Sequence, residues 1–240
     1  MSGSGRNERC SCGSGRKLKR CCGPLLDDPV GLANEHSAVG ARVQAWAFET
    51  YPEEMKAGLE ELLGGRTGVV VGDADAQLAG TWVLSDRELP GGGTIAQRYA
   101  RRLDLPSSER DIAERIADAR LGLLRVISFK PGRGIELHDL TRSELVSVIS
   151  HDLSRSVRPG DVVVGRVMAG PPAPSVWGPV AFVTRRTGQM LSDILKARMV
   201  ELDVRDQPLG LAVAMHAASR EITSLFLPAL RNQPTAHQAA

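Results

Sequence analysis

The cysteines carry the clearest chemical signal in this sequence. The chain has four, Cys10, Cys12, Cys21 and Cys22, and all of them lie in the first 22 of its 240 residues. They form a C-x-C pair and a C-C pair separated by eight residues, a connector long enough to fold back and bring the pairs together. A structural zinc ion takes four ligands in a closed tetrahedron, with thiolate sulfurs at about 2.3 Å. We therefore predict that the four cysteines bind one structural Zn²⁺ ion.

Two disulfide bonds between the pairs are the alternative interpretation of the same cysteines. The N-terminal segment lacks the apolar stretch of a secretory signal, and no apolar run approaches the ~20 residues of a membrane helix. We therefore expect a soluble, cytoplasmic protein, and in a reducing compartment clustered cysteines more often bind metal. Four protein ligands leave no open position for a catalytic water, so we expect a structural role for the ion.

The residues around the cysteines resemble a known module. Residues 5–23 are similar to the SEC-C motif, a short zinc-binding module found at the C-terminus of the bacterial preprotein translocase motor SecA and in many unrelated bacterial proteins. The resemblance implies that the same cysteines ligate zinc, and by analogy that the module contacts an export chaperone or the ribosome. Leu18 stands where the family usually has an aromatic residue. The positions that agree are Arg6, Asn7, the four cysteines, Gly13, Ser14, Gly15, Gly23 and the basic residues Arg16, Lys17, Lys19 and Arg20.

Positive charge is concentrated beside the cysteines. Residues 1–23 hold six of the 30 Lys and Arg residues but only one of the 28 Asp and Glu residues. A zinc ion with four thiolates carries a net charge of −2, which some of these cations would offset. The surplus predicts a basic surface for a protein or ribosome partner, with nucleic acid as a further possibility. The residues that we expect to contact the partner are Arg16, Lys17, Lys19 and Arg20.

The remaining pattern predicts an α+β fold. Helical periodicity before residue 120 gives way to short β-branched strands separated by turns, which indicates a small antiparallel β-barrel of the OB or SH3 type. The expected helices include 34–51, 52–63, 94–103 and 108–120, with Ser107 or Ser108 as a cap, and later 189–204 and 208–230. The expected divisions are the module 1–24, a linker at 24–30, helices 30–120, the barrel 121–186 with a long loop at 169–178, helices 187–231 and a disordered tail 232–240.

A second, looser resemblance spans the helical and barrel regions. Residues 82–86, 89–94, 129–134 and 137–140 look like segments of uncharacterised bacterial proteins that join a SEC-C motif to a helical region and a small barrel. That group implies no particular activity.

No local motif indicates catalysis. The sequence contains no G-x-x-x-x-G-K-[ST], H-E-x-x-H or G-x-S-x-G pattern. The dipeptides 138–139 and 151–152 resemble the His-Asp pairs of metal phosphohydrolases, but we expect them at strand positions, where adjacent side chains point to opposite faces. Arg133 and Arg158, on expected barrel turns, are candidates for binding an anion.

Three functional hypotheses remain at this point. The favoured one is a non-enzymatic zinc-binding adaptor that presents a basic module to a macromolecular partner. The second is a nucleic-acid-binding protein that uses an OB-like barrel with the module as a clamp. The third is an enzyme whose catalytic residues come together from distant positions, so that no local motif reveals them.

Overall fold

The computed structural model describes residues 7–9, 15–21, 23–63 and 73–230. In this part of the chain helices precede and follow a five-stranded sheet, which confirms the mixed α+β class. The helices before the sheet are α1 (Gly23–Asp27), α2 (Pro29–Thr50), α3 (Pro52–Leu63), α4 (Asp73–Ser85), α5 (Ile95–Ala100) and α6 (Ser107–Ala117).

Two helix starts differ from the prediction. The expected linker 24–30 instead contains most of α1 and the first two residues of α2. Helix α2 starts there because Asp28 accepts a hydrogen bond from the Gly31 N–H at 2.9 Å and Pro29 occupies the first helical position. The cap expected at Ser107 or Ser108 is wrong, since α6 starts after Pro106 without a side-chain cap. Helix α5 has the capping box instead, between Thr94 and Gln97.

The strands are β1 (Arg120–Lys130), β2 (Gly134–Asp139), β3 (Glu144–Ile149), β4 (Val162–Met168) and β5 (Ser175–Phe182), with the short helix α7 (Leu153–Ser156) between β3 and β4. Their order is β1-β2-β3-β5-β4, and β4 also pairs with β1, so the sheet closes on itself. The expectation of a wholly antiparallel sheet is wrong at one point, because β3 and β5 join in parallel through Ile149 and Ser175. An odd number of strands in a closed ring cannot alternate in direction throughout.

Strand β5 also corrects the loop that was expected at 169–178. The strand starts at Ser175 and continues through Gly178, whose φ is +69°. Glycine tolerates this left-handed conformation, which other residues rarely adopt. The pairing of β5 with β4 shifts register between Val164 and Arg166, so an irregular strand replaces the end of the loop.

Three helices follow the sheet: α8 (Arg185–Glu201), α9 (Gly210–Ala217) and α10 (Ser219–Leu230). The single helix expected at 208–230 is therefore interrupted at Ala218, whose backbone leaves helical geometry. Ala218 is nevertheless fully buried, as are Ala214 and Ile222, one turn before it and one after. Both short helices therefore present small and branched apolar side chains to the same core.

The sheet is buried on two sides at β4. Val163 belongs to an apolar cluster inside the sheet, with Leu124, Leu137 and Val148. Its neighbour Val164 belongs to a second cluster, which continues into the helices. Successive side chains of a strand point to opposite faces, so β4 contributes to both cores.

A buried ion pair crosses the boundary between helices and sheet. Arg166 of β4 pairs with Asp86, which follows α4, and the two side chains are only 1% and 4% exposed. Burial lowers the pKa of Arg166 to about 10, a value at which the guanidinium is still charged at neutral pH. The pair therefore joins β4 to the end of α4 through full charges in a water-poor environment.

Candidate functional site

The described part of the N-terminal module folds back on itself. Arg9 and Lys17 form an isolated antiparallel bridge, and the Leu18 N–H donates to the Glu8 carbonyl at 2.8 Å. A 3-10 turn covers Leu18–Arg20, after which the Cys21 N–H donates to the Leu18 carbonyl at 3.1 Å. Residues 9 and 17 are thus held together.

Three of the four predicted zinc ligands lie outside the described residues. Cys10, Cys12 and Cys22 fall outside the described residues, whereas Cys21 is described and half-buried. Among the residues that the structure describes, no group of three or more His, Cys, Asp or Glu side chains is placed to hold a metal ion. The ligand assignment therefore stays a prediction.

The predicted partner-binding residues are all on the surface. Arg16, Lys17, Lys19 and Arg20 are exposed, while Leu18 between them is half-buried. We call these four residues the basic limb. The sequence placed the limb beside the cysteines, and the bridge between residues 9 and 17 places it beside the fold-back of the chain.

The two His-Asp dipeptides do not form a joint site. Asp139 is buried and accepts hydrogen bonds from the Thr141 N–H and from Arg142, each at 2.8 Å. His151 contacts the neighbouring Asp152 at 2.8 Å, and the Asp152 side chain is 98% exposed. The Asp139 carboxylate thus stabilises a turn, whereas the Asp152 carboxylate faces solvent. Arg133 and Arg158, the candidates for binding an anion, are exposed residues of separate turns.

The structure brings together a polar cluster that sequence reasoning missed. The cluster contains His36 of α2, Arg115 of α6 and Ser175 of β5. Arg115 follows His36 by 79 positions, and Ser175 follows Arg115 by 60 positions. Arg115 Nη1 lies 3.3 Å from His36 Nε2, and His36 Nδ1 lies 3.2 Å from Ser175 Oγ. His36 is 5% exposed and Ser175 4%. No local spacing connects residues that come from two helices and a strand.

Every N–H group of Arg115 has an acceptor. Nε donates to the Ala169 carbonyl, Nη1 to the Pro171 carbonyl and to His36, and Nη2 to the Ala173 carbonyl and to Ser175, over distances of 2.8 to 3.4 Å. A guanidinium has five such donors in a fixed plane. Arg115 therefore fastens the segment between β4 and β5 onto α6.

These contacts determine the protonation of His36. Arginine only donates, so His36 Nε2 must accept, and the ring proton then lies on Nδ1 and points to Ser175 Oγ. Burial, reinforced by the charge of Arg115, lowers the pKa of His36 to about 4, so the ring is neutral at pH 7. A general base for Ser175 would need an unprotonated nitrogen facing the hydroxyl. The pair is thus arranged to hold Ser175 in place and not to activate it.

A cleft lies beside this cluster. It measures about 690 Å³ and is bounded by α2, α4, β5 and α7. Small residues make the space, because α2 contributes Ala33, Ser37 and Gly40 and α4 contributes Gly80. His36 and Ser175 lie in its wall, together with Trp177.

Comparison with known proteins gives one match. The family model of the SEC-C motif matches residues 6–24, so the motif that the sequence resembles is present over that short part of the chain. No curated protein and no solved structure matches the chain. Among the described residues, no helix combines the length and apolar character needed to cross a membrane.

Proposed function

We propose that this protein is a zinc-binding adaptor whose N-terminal module presents a basic surface to a macromolecular partner. The observation that carries the proposal is the match of residues 6–24 to the SEC-C motif. All four cysteines of the chain fall inside that match. In the proposal Cys10, Cys12, Cys21 and Cys22 hold one structural Zn²⁺ ion, and the ion supplies folding energy to a segment too short to form its own core.

The basic limb is the proposed contact with the partner. Its four side chains are exposed, and full charges on a small surface steer an acidic partner strongly at low salt. A protein or the ribosome is the proposed partner, in line with the resemblance to the SecA module. Leu18 offers no ring for stacking, so any contact with nucleic acid there would be made to phosphate.

Zinc binding is tested by metal analysis of the full-length protein. We expect one zinc per chain in the wild type and loss of that zinc in Cys10→Ser and in Cys21→Ser. Cysteine pairs that are oxidised and metal-free in protein purified under reducing conditions would contradict the proposal and support the disulfide interpretation.

Partner binding is tested by capture from lysate with a matched charge control. Lys19→Glu with Arg20→Glu reverses half of the basic limb, while Arg185→Glu with Arg186→Glu makes the same charge change at two exposed positions of α8. We expect the Lys19→Glu, Arg20→Glu variant to lose the captured partner and the Arg185→Glu, Arg186→Glu variant to keep it. Equal retention by both variants would remove the basic limb from the proposal.

The strand order favours nucleic acid binding as a second candidate function. A closed five-stranded sheet in the order β1-β2-β3-β5-β4, with β3 and β5 joined in parallel through one residue pair, resembles the five-stranded OB barrel. The aromatic residues of the sheet, however, are engaged. Phe129 and Phe182 pack against the inner cluster, and Trp177 lies against α2 at Gly40.

Fluorescence anisotropy with single-stranded RNA over a salt series separates the two candidates. If the protein is an adaptor, we expect RNA binding to be weak and salt-sensitive, and to disappear when the charge of the basic limb is reversed. Binding that is retained in the Lys19→Glu, Arg20→Glu variant would instead place the interaction on the sheet.

A further inference from the structure

Beside the cleft and His36 lie two hydrogen-bond donors that have no acceptor among the residues that the structure describes. Ser175 Oγ accepts from His36 Nδ1 at 3.2 Å and from Arg115 Nη2 at 3.4 Å, which leaves the hydroxyl proton free to donate. The Trp177 Nε1–H is buried and meets no acceptor among the described residues. Buried donors of this kind are uncommon and call for an explanation.

The two donors belong to one face of one strand. Ser175 and Trp177 are two positions apart on β5, and alternate residues of a strand point to the same side, about 6.6 Å apart. Both side chains line the same cleft. The two donors therefore lie on the side of β5 that forms part of the wall of the cleft.

The charges around Ser175 indicate the sign of the ligand. The nearest charge is Arg115, with Nη2 at 3.4 Å from Ser175 Oγ, and no carboxylate pairs with Arg115 among the described residues. Burial lowers the pKa of Arg115, and the charge of Glu35 acts in the opposite direction. Asp152 also lines the cleft, but its side chain is 98% exposed and its charge is screened by water. The guanidinium in contact with Ser175 therefore favours a negative group beside it.

The volume and the lining of the cleft indicate the chemical character of the rest of the ligand. A volume of about 690 Å³ lies within the range of small-molecule sites. Apolar side chains, among them Leu32, Leu84 and Val180, also line the cleft. We propose that this cleft binds a small carboxylate with an apolar body, whose carboxylate oxygens accept from Ser175 and Trp177 near Arg115. This site is separate from the N-terminal module and does not depend on the adaptor function.

The test uses ligand-observed NMR titrations of the full-length protein with benzoate, phenylacetate and hexanoate, each beside its uncharged amide. We expect at least one carboxylate to bind, and its amide to bind about tenfold more weakly or less. Trp177→Phe keeps an aromatic ring but removes the N–H, so it should weaken carboxylate binding without weakening the amide to the same degree.

A cleft-filling variant supplies the control for location. The space at Gly80 is open, since a Cβ there would meet only Gln44 Nε2, at 3.9 Å. Gly80→Leu should therefore abolish binding, whereas Ala76→Leu adds a leucine to the exposed face of the same helix and should leave binding intact. If Gly80→Leu does not fold, Ser37→Leu blocks the cleft from α2.

Three results would overturn the proposal. The first is that no carboxylate of the set binds the wild type, and the second is that each amide binds as tightly as its acid. The third is that binding persists unchanged in the cleft-filling variant.

Discussion

Two glycines on facing helices should respond in opposite ways to the same substitution. Gly40 lies in α2 and Gly80 in α4, and both are buried in helix interiors. A Cβ at Gly40 would lie 2.2 Å from Cη2 and 2.5 Å from Cζ3 of Trp177, well inside contact distance. A Cβ at Gly80 would have only one neighbour, Gln44 Nε2 at 3.9 Å.

The magnitudes follow from two opposing effects. Replacing glycine by alanine in a helix interior stabilises by roughly 0.5–1 kcal/mol, and this is the only expected effect at Gly80. At Gly40 the indole must also move, and overpacking of this kind costs about 1–3 kcal/mol. We therefore expect Gly80→Ala to raise the free energy of unfolding by about 0.5–1 kcal/mol and Gly40→Ala to lower it by about 1–2 kcal/mol.

Urea denaturation followed by circular dichroism measures both changes. A double-mutant cycle assigns the cost at Gly40, because in a Trp177→Leu background the added methyl group no longer meets the indole and Gly40→Ala should become neutral or stabilising. If Gly40→Ala is as stable as the wild type, or if its cost is unchanged in the Trp177→Leu background, the described contact between α2 and β5 is refuted.

Three further predictions concern buried polar groups. His36 has a pKa of about 4 in the fold and 6.5 when exposed, so between these pH values only the unfolded chain takes up the proton. The free energy of unfolding should therefore fall by about 3 kcal/mol from pH 7 to pH 4. In His36→Gln, urea midpoints measured over the same pH range should lack this decrease. Asp86→Ala leaves the Arg166 charge buried and unpaired and should lower the free energy of unfolding by about 3–5 kcal/mol, measured by thermal unfolding. Glu201→Ala breaks the pair with Arg198, in which the Glu201 side chain is 63% exposed, and should cost less than about 1 kcal/mol. Equal costs would contradict the burial of the pair between Arg166 and Asp86. Arg115→Lys keeps the charge but not the five planar donors, so hydrogen exchange at 169–175 should accelerate, and unchanged protection would show that Arg115 does not fasten that segment.

Local pattern predicted many elements well. Strand β4 (Val162–Met168) lies within the expected barrel, because a valine-rich run between turn residues favours a strand through local propensity. Helix α3 (Pro52–Leu63) has the bounds that the sequence predicted, 52–63. Both features depend on a few adjacent residues, whose propensities act without help from the rest of the chain.

The errors occurred where tertiary contacts outweigh local propensity. Residues 175–178 read as loop because Gly178 and nearby prolines disfavour a regular strand, yet pairing with β4 accommodates them with a shift in register. The parallel junction of β3 and β5 is likewise a property of the closed ring. Neither feature is encoded in a window of a few residues.

By itself, the sequence determined the zinc-ligand prediction and the basic limb, since cysteine spacing and local charge are properties of a short, continuous segment. The tertiary structure alone revealed the cluster of His36, Arg115 and Ser175 and the cleft beside it. Periodicity indicates which side of an element a residue occupies, but not which other element packs against that side. That the Trp177 N–H has no acceptor among the described residues depends on which elements pack around β5, and no local pattern in the sequence contains that information.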